Sequence, residues 1–195
     1  MGAAITPALE FAPGLLLAAR GAGAGIGAAI FDVDGVLTDG RVYIGAAGES
    51  FKAFATLDGQ GMKLLAQAGI VPIVVTGRDS AAVRRRMADL GVFHAAYGAA
   101  DKMAAAAALV DGLGLAWDRV AAIGDDWPDL PILQRAAFAC EPPHAHVEVR
   151  AVAHHVTSAP AGQGAAREFC DLLLVAAGRY AGLLRSPQFA LDASR

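Results

Sequence analysis

Short, almost wholly apolar runs alternate along this chain with longer segments of mixed character. The run from Ile26 through Phe31 has the length of a strand buried on both faces and predicts a strand over Gly27–Val33. Val71–Thr76 and Val120–Ile123 repeat the pattern, and weaker strands are expected near Ala95–Tyr97, Phe138 and Val156. Helical spacing predicts helices over Gln60–Gln67, Ser80–Leu90, Lys102–Leu113, His146–Arg150 and Ala165–Ala177. A further helix is opened by Pro128, which suits a first helical turn. Between the first strand and the first helix lies a hairpin: Arg41–Ile44, a turn over Gly45–Gly48, then Ser50–Phe54. Strands alternating with helices predict an α/β fold, a doubly wound and mainly parallel sheet with helices on its faces.

Length and composition narrow the picture. A chain of 195 residues is enough for one domain with a real core. The expected division is an N-terminal extension over 1–25, one domain over 26–180 and a tail over 181–195. No internal repeat or interdomain linker interrupts it, and the Gly/Ala-rich start and the tail after Pro187 are expected to be mobile. The composition is 55% apolar, much of it Ala, and no uncharged apolar run approaches the roughly 20 residues that span a bilayer. Leu15–Leu17 superficially suggests a secretory signal. Glu10, Pro13 and the lack of a basic start argue against one, so a cytoplasmic location is expected. A net charge of −3 without a basic cluster argues against nucleic acid as a main partner. Arg84-Arg85-Arg86 reads as a solvated helix face. Cys140 and Cys170 show neither ligand spacing nor a disulfide framework, and no two of His94, His144, His146, His154 and His155 share a helical metal spacing.

The candidate chemistry sits where predicted strands end. Asp32 and Asp34 follow the first strand two residues apart, on one face, and Gly35 lets the chain turn away. Open parallel sheets place ligands at such carboxyl ends. Two acids there invite a hard divalent cation, and one can serve as a nucleophile. An acidic turn is the plain alternative. Gly124-Asp125-Asp126-Trp127-Pro128-Asp129 ends the Val120–Ile123 strand on acids again. Two acidic strand ends in one sheet can converge on Mg²⁺, although Asp126 or Asp129 could instead cap the helix opened by Pro128. Thr76-Gly77-Arg78 offers a hydroxyl and backbone amides at a strand-to-helix turn, a natural phosphate cradle that also has a purely structural use. Lys102 begins a helix, against the dipole, which hints at a bound anion where a surface role is the default.

These motifs, in this order, closely resemble those of the haloacid dehalogenase superfamily of aspartate-nucleophile phosphatases, from about Ile30 to Ala177. Asp32 to Gly40, Phe51-Lys52-Ala53-Phe54, Asp58-Gly59, Thr76-Gly77-Arg78, Gly124-Asp125-Asp126 and Gly164 to Glu168 resemble, more narrowly, the 3-deoxy-D-manno-octulosonate (KDO) 8-phosphate phosphatase family. The resemblance implies a capless Mg²⁺ enzyme of lipopolysaccharide precursor synthesis, tetrameric, with a neighbour helping to close the site. The interval from Gly40 to Asp58 has room only for a hairpin, as a capless enzyme requires. By the same resemblance Asp32 is the nucleophile and Asp34 the acid/base, its backbone carbonyl on Mg²⁺. Asp125 completes the ligands beside Asp32, and Asp126 supports them or contacts substrate. Thr76, the Gly77 amide and Lys102 hold the phosphoryl group. Sugar contacts are implied for Ala55, Thr56, Leu57, Asp58, Gly59, Lys63, Arg78 and Arg86. Family members often carry Asn-Val-Arg-Asp-Gly where this chain has Ala55 to Gly59, so two polar partners are missing. Arg78, where a related nonulosonate phosphatase carries Glu, can bind a carboxylate in bidentate fashion. The expected substrate is a small anionic sugar phosphate. The alternatives are a phosphatase of another nonulosonate or small sugar phosphate, or a non-catalytic oligomerising module like those fused to cytidylyltransferases.

Overall fold

The computed structural model describes residues 6–46 and 48–188. Parts of the expected N-terminal extension and C-terminal tail (1–5 and 189–195) and Ala47 of the hairpin turn lie outside the described residues. The first strand, β1 (Ala28–Phe31), is the centre of a six-stranded, wholly parallel sheet. Its neighbours are β4 (Val71–Val75) on one side and β6 (Val120–Ile123) on the other. β5 (His94–Ala96) extends the sheet beyond β4, while β7 (Phe138–Glu141) and β8 (His155–Val156) extend it beyond β6. The strand order therefore reverses direction at β1, where loops from both halves of the sheet diverge and leave a crevice. Every residue of β1 and β6 is buried, which accounts for their unbroken apolar runs.

Alternate residues of these strands feed two cores. Ala29 and Phe31 of β1 join Val74 and Ile123 beneath α1 (Pro13–Ala19), α2 (Thr56–Gln67), α3 (Ala81–Leu90) and α7 (Ala165–Ala176). Ala28 and Ile30 join Ile73, Val75 and Ala122 beneath α4 (Lys102–Gly112), α5 (Leu130–Arg135) and α6 (Val147–Arg150). Phe169 of α7 meets Phe31 edge-on at 5.4 Å, a favoured aromatic geometry in the larger core. A short helix, α8 (Tyr180–Leu184), follows α7. The antiparallel hairpin of β2 (Tyr43–Gly45) and β3 (Gly48–Phe51) stands apart from the main sheet. Among the described residues no helix is long and apolar enough to cross a membrane.

Two segments differ from the expectation. The Gly/Ala-rich start is not without structure: Pro13 opens α1, which buries Ala19 and packs Leu15 and Leu16 against the core. Helix α2 begins at Thr56, not at Gln60, so Thr56 to Gly59 form its first turn with Ala55 as N-cap. Gly59 is there because the helix passes close to α3. A Cβ on Gly59 would lie 2.4 Å from Arg86 Nη2 and 2.8 Å from Leu90 Cδ2. Arg84 pairs with Asp79 and Arg85 with Asp89, so these two arginines occupy a solvated face as expected.

Candidate active site

Three carboxylates meet at the strand ends. Asp32 follows β1, Asp125 follows β6 and Asp129 lies four residues further on; ligand oxygens from all three lie within 4.8 Å of one another. Two glycines permit this crowding. A Cβ on Gly35, whose φ is +97°, would come within 2.0 Å of Asp125 Oδ2, and one on Gly124 within 2.5 Å of Asp129 Cβ. Lys102 reaches in from the start of α4 and donates to Asp32 Oδ1 at 2.7 Å and to Asp129 Oδ1 at 2.8 Å. The other Asp129 oxygen accepts from the backbone amides of Asp125 and Asp126, at 3.2 and 3.4 Å. Asp129 thus has two duties, capping the turn over Trp127–Asp129 and fixing Lys102. Asp126 accepts from the Trp127 amide at 2.8 Å and is exposed, the capping role open to it from the start.

One ammonium cannot neutralise three carboxylates. Burial first, and Asp129 next, push the Asp32 carboxyl well above the ordinary carboxylate range, against the pull of Lys102. Asp125 is pushed up to about 6 by burial and then by Asp129. Burial also works against a charged Lys102, but Asp32 and Asp129 outweigh it and hold the lysine above its usual value. The ammonium therefore stays charged while the acids retain a proton or take up a cation. Asp125 Oδ1 is buried without a hydrogen-bond partner, an orphan acceptor in a wholly oxygen donor set. Such a set fits a hard divalent ion such as Mg²⁺. Asp32 and Asp125 are the side chains free to hold it, since both oxygens of Asp129 already accept hydrogen bonds.

The phosphate cradle lies across β1 from this group. Thr76, directly after β4, is buried, and its Oγ1 accepts from the Arg78 amide at 3.3 Å. A Cβ on Gly77 would lie 4.0 Å from Lys102 Cε, so the turn passes beside the lysine. Arg78 is half exposed at the mouth. The Asp34 carboxylate is outside the three-acid group. It faces the hairpin, paired with Lys52, and its Oδ2 lies 3.9 Å from Arg78 Nε.

The expected sugar contacts are spread more widely. Asp58 is buried and accepts from the Arg167 amide at 2.8 Å, tying α2 to α7, and burial raises its pKa. Arg86 lies over the Phe54 ring and 3.5 Å from the Ala55 carbonyl. Thr56, Leu57 and Lys63 are exposed. Among the described residues no hydrogen bond or ion pair joins Lys63 or Arg86 to Asp32, Asp34 or Asp125. Sequence reasoning missed Glu49 and Ser80, named Lys52 only as part of a motif without a role, and left Asp129 between the acidic group and a helix cap. The spacing of Asp129 from Asp125, one helical turn on, was the available signal for its place in the group.

A central parallel strand ending on a buried aspartate, a second acidic strand end beside it, and a lysine bracing both define a hydrolase site of the haloacid dehalogenase superfamily. No family model matches the chain. It is 39% identical over 150 residues to the KDO 8-phosphate phosphatase of Salmonella typhi, spanning 77% of this chain and 80% of that one. The chain belongs to the KDO 8-phosphate phosphatase family. Among solved structures it is similar to the Moraxella catarrhalis enzyme of that name in complex with magnesium, phosphate and KDO. The two are 36% identical with a TM-score of 0.82, over 88% of this chain and 96% of that one. The cobalt-bound enzyme of Haemophilus influenzae is 40% identical with a TM-score of 0.77, over 80% and 91%.

Proposed function

We propose that this protein is a Mg²⁺-dependent phosphomonoesterase that hydrolyses KDO 8-phosphate to KDO and phosphate, in lipopolysaccharide precursor synthesis. The observation that carries the reading is the lysine-braced carboxylate group. Lys102 joins Asp32, directly after β1, to Asp129, in the segment after β6, beside a threonine turn that can take a phosphoryl group.

Asp32 attacks phosphorus and forms an aspartyl-phosphate, which splits one hard displacement into two easier ones. Asp34 gives a proton to the leaving sugar oxygen and later takes one from the attacking water. Lys102, the Thr76 hydroxyl and the Gly77 amide hold the phosphoryl oxygens as charge shifts among them. Asp32, Asp125 and the Asp34 backbone carbonyl would hold Mg²⁺, which when bound would supply a Lewis acid and screen the acids from the anionic substrate. Arg78, at the mouth, receives the sugar carboxylate. Asp126 supports the Asp125 loop.

The catalytic unit is the domain over 26–180, working in the cytoplasm as a homotetramer. The hairpin supports the assembly: Val42, Ile44 and Phe51 are exposed apolar side chains on a two-stranded ribbon that is not part of the main sheet. Thr56, Leu57 and Lys63, exposed on α2, and Arg86 would serve the site of a neighbour. Phosphate release measured over a panel of sugar phosphates, with Mg²⁺ and after EDTA, tests the reading. The expected result is a preference for KDO 8-phosphate and loss of turnover in EDTA, with Ca²⁺ supporting binding but little turnover. Full activity after exhaustive chelation, or no release from any sugar phosphate, would rule it out.

A further inference from the structure

The hairpin sends two charged side chains back to its own site. Lys52, directly after β3, is almost wholly buried, its side chain 1% exposed, with its ammonium against Asp34 Oδ1 and 3.4 Å from Glu49 Oε2. Arg78 Nη2 lies 3.2 Å from the same Glu49 oxygen, and its Nε lies 3.9 Å from Asp34 Oδ2. The four groups close a ring of alternating charge: Asp34, Lys52, Glu49, Arg78 and back to Asp34. Ser80, the residue before α3, donates its hydroxyl to the other Glu49 oxygen. A buried ammonium is tolerated only when its charge is matched, and Lys52 has two carboxylates for the purpose. Glu49 in turn has three donors, from β3's exit, the phosphate turn and the α3 N-cap.

The ring engages the Asp34 carboxylate, which is outside the three-acid group. Asp32, Asp125 and Asp129 already share one lysine, and a fourth carboxylate drawn in there would meet only repulsion. The cations of the ring give Asp34 somewhere else to be. They hold its carboxylate between the hairpin and the Thr76–Arg78 turn. We propose that Glu49 and Lys52 are positioning residues for the acid/base Asp34, with Glu49 fixing both Lys52 and Arg78 so that the Asp34 carboxylate faces the leaving oxygen. This rests on the phosphatase reading and on the role given to Asp34 in it.

Two leaving groups separate positioning from mere stability. A sugar alkoxide needs a proton as it leaves, whereas para-nitrophenolate does not, so only the first depends on where Asp34 points. Release of the leaving group is followed in single turnovers with the purified enzyme in excess, Mg²⁺ present, for wild type, Glu49→Gln, Glu49→Asp and Lys52→Met. Glu49→Gln and Lys52→Met are expected to slow release of KDO by about 10- to 100-fold and release of para-nitrophenolate by less than about threefold. Glu49→Asp, which keeps the charge on a shorter arm, should recover part of the loss. Circular dichroism and thermal unfolding monitor the fold, and if Glu49→Gln does not fold, Glu49→Asp and Lys52→Met carry the comparison. Equal slowing of both leaving groups, or no slowing of either, overturns the proposal while leaving the phosphatase intact. A wild-type enzyme that releases para-nitrophenolate but acts on no sugar phosphate overturns the functional reading instead.

Discussion

Lys102 Nζ lies 2.7 Å from Asp32 Oδ1, although 70 residues separate the two in the chain. The lysine begins a helix, where the dipole disfavours a cation, and Asp101 caps that helix by accepting from the Ala104 amide at 2.9 Å. The anions that offset this placement are Asp32 and Asp129. In the proposed mechanism the same contact would hold the nucleophile in place and set a positive charge beside the phosphoryl oxygens.

Replacing Asp32 by Asn should abolish turnover without loss of fold, because an amide cannot take the place of the attacking carboxylate. It also removes one of three crowded acids. Thermal stability in the absence of metal should therefore be unchanged or raised, by about 2–4 °C for each kcal/mol of repulsion relieved. Phosphate release beside circular dichroism and calorimetry checks both parts. Near-wild-type activity, with amide hydrolysis back to Asp excluded by mass spectrometry, would refute the nucleophile assignment.

Asp125 links the site to pH. Its carboxyl is pushed up to about 6 by burial and then by Asp129, above its value in the unfolded chain. The folded state therefore binds more protons than the unfolded state between about pH 4 and 6. The contribution of this group to metal-free stability is greatest below that window, falls through it and stays low above pH 6. Mg²⁺ reverses the preference by favouring the ionised acids. The unfolding temperature gained on adding Mg²⁺ should be larger at pH 7 than at pH 5, and the difference should shrink in Asp125→Asn. Equal gains at both pH values would place the metal elsewhere.

The hairpin carries the expected assembly. Phe51 stacks on Tyr43 with ring centroids 4.5 Å apart, yet Phe51 and Ile44 remain exposed. Ile44→Asp combined with Phe51→Ser should convert tetramers to smaller species at micromolar concentration, as read by light scattering. A monomeric wild-type protein would contradict the arrangement outright.

In the proposed mechanism, substrate choice rests on Arg78. Arg78→Ala should raise KM for a sugar-acid phosphate far more than for a neutral sugar phosphate. A lost charge-assisted hydrogen bond corresponds to about 1.5–3 kcal/mol, roughly a 10- to 150-fold change. Comparable losses with both substrates would mean that Arg78 serves phosphate binding or the hairpin ring, and not recognition of the acid.

Local pattern carried the sheet and failed at long-range pairing. Val120–Ile123 could be placed to the residue because a fully buried strand of a parallel sheet leaves an unbroken apolar run. The acids after β1 and β6 were legible for the same reason, since each interrupts such a run. The start of α2 was not legible, because Asp58 and Gly59 look like turn residues. Asp58 is satisfied by α7, and Gly59 makes room for Arg86. Helix α1 had a signal in Pro13 that the surrounding glycines obscured. Glu49 carried none, since nothing in a four-residue strand announces a partner on another element, and the motif that contains Lys52 does not say which acid it meets.

The parallel order of the central strands also sets a timetable for the nascent chain. Lys102 finds one partner 70 residues behind it and the other 27 residues ahead. During synthesis β1, β4 and Lys102 all emerge before Asp125 and Asp129. The oppositely charged pair, Asp32 and Lys102, can therefore meet first, and the two acids that outnumber the lysine arrive only with β6. Distant pairings of this kind are slow to form, because the intervening loop must close before any contact rewards it. The repulsive part of the site is thus left until β1, β4 and β5 are already there to hold it.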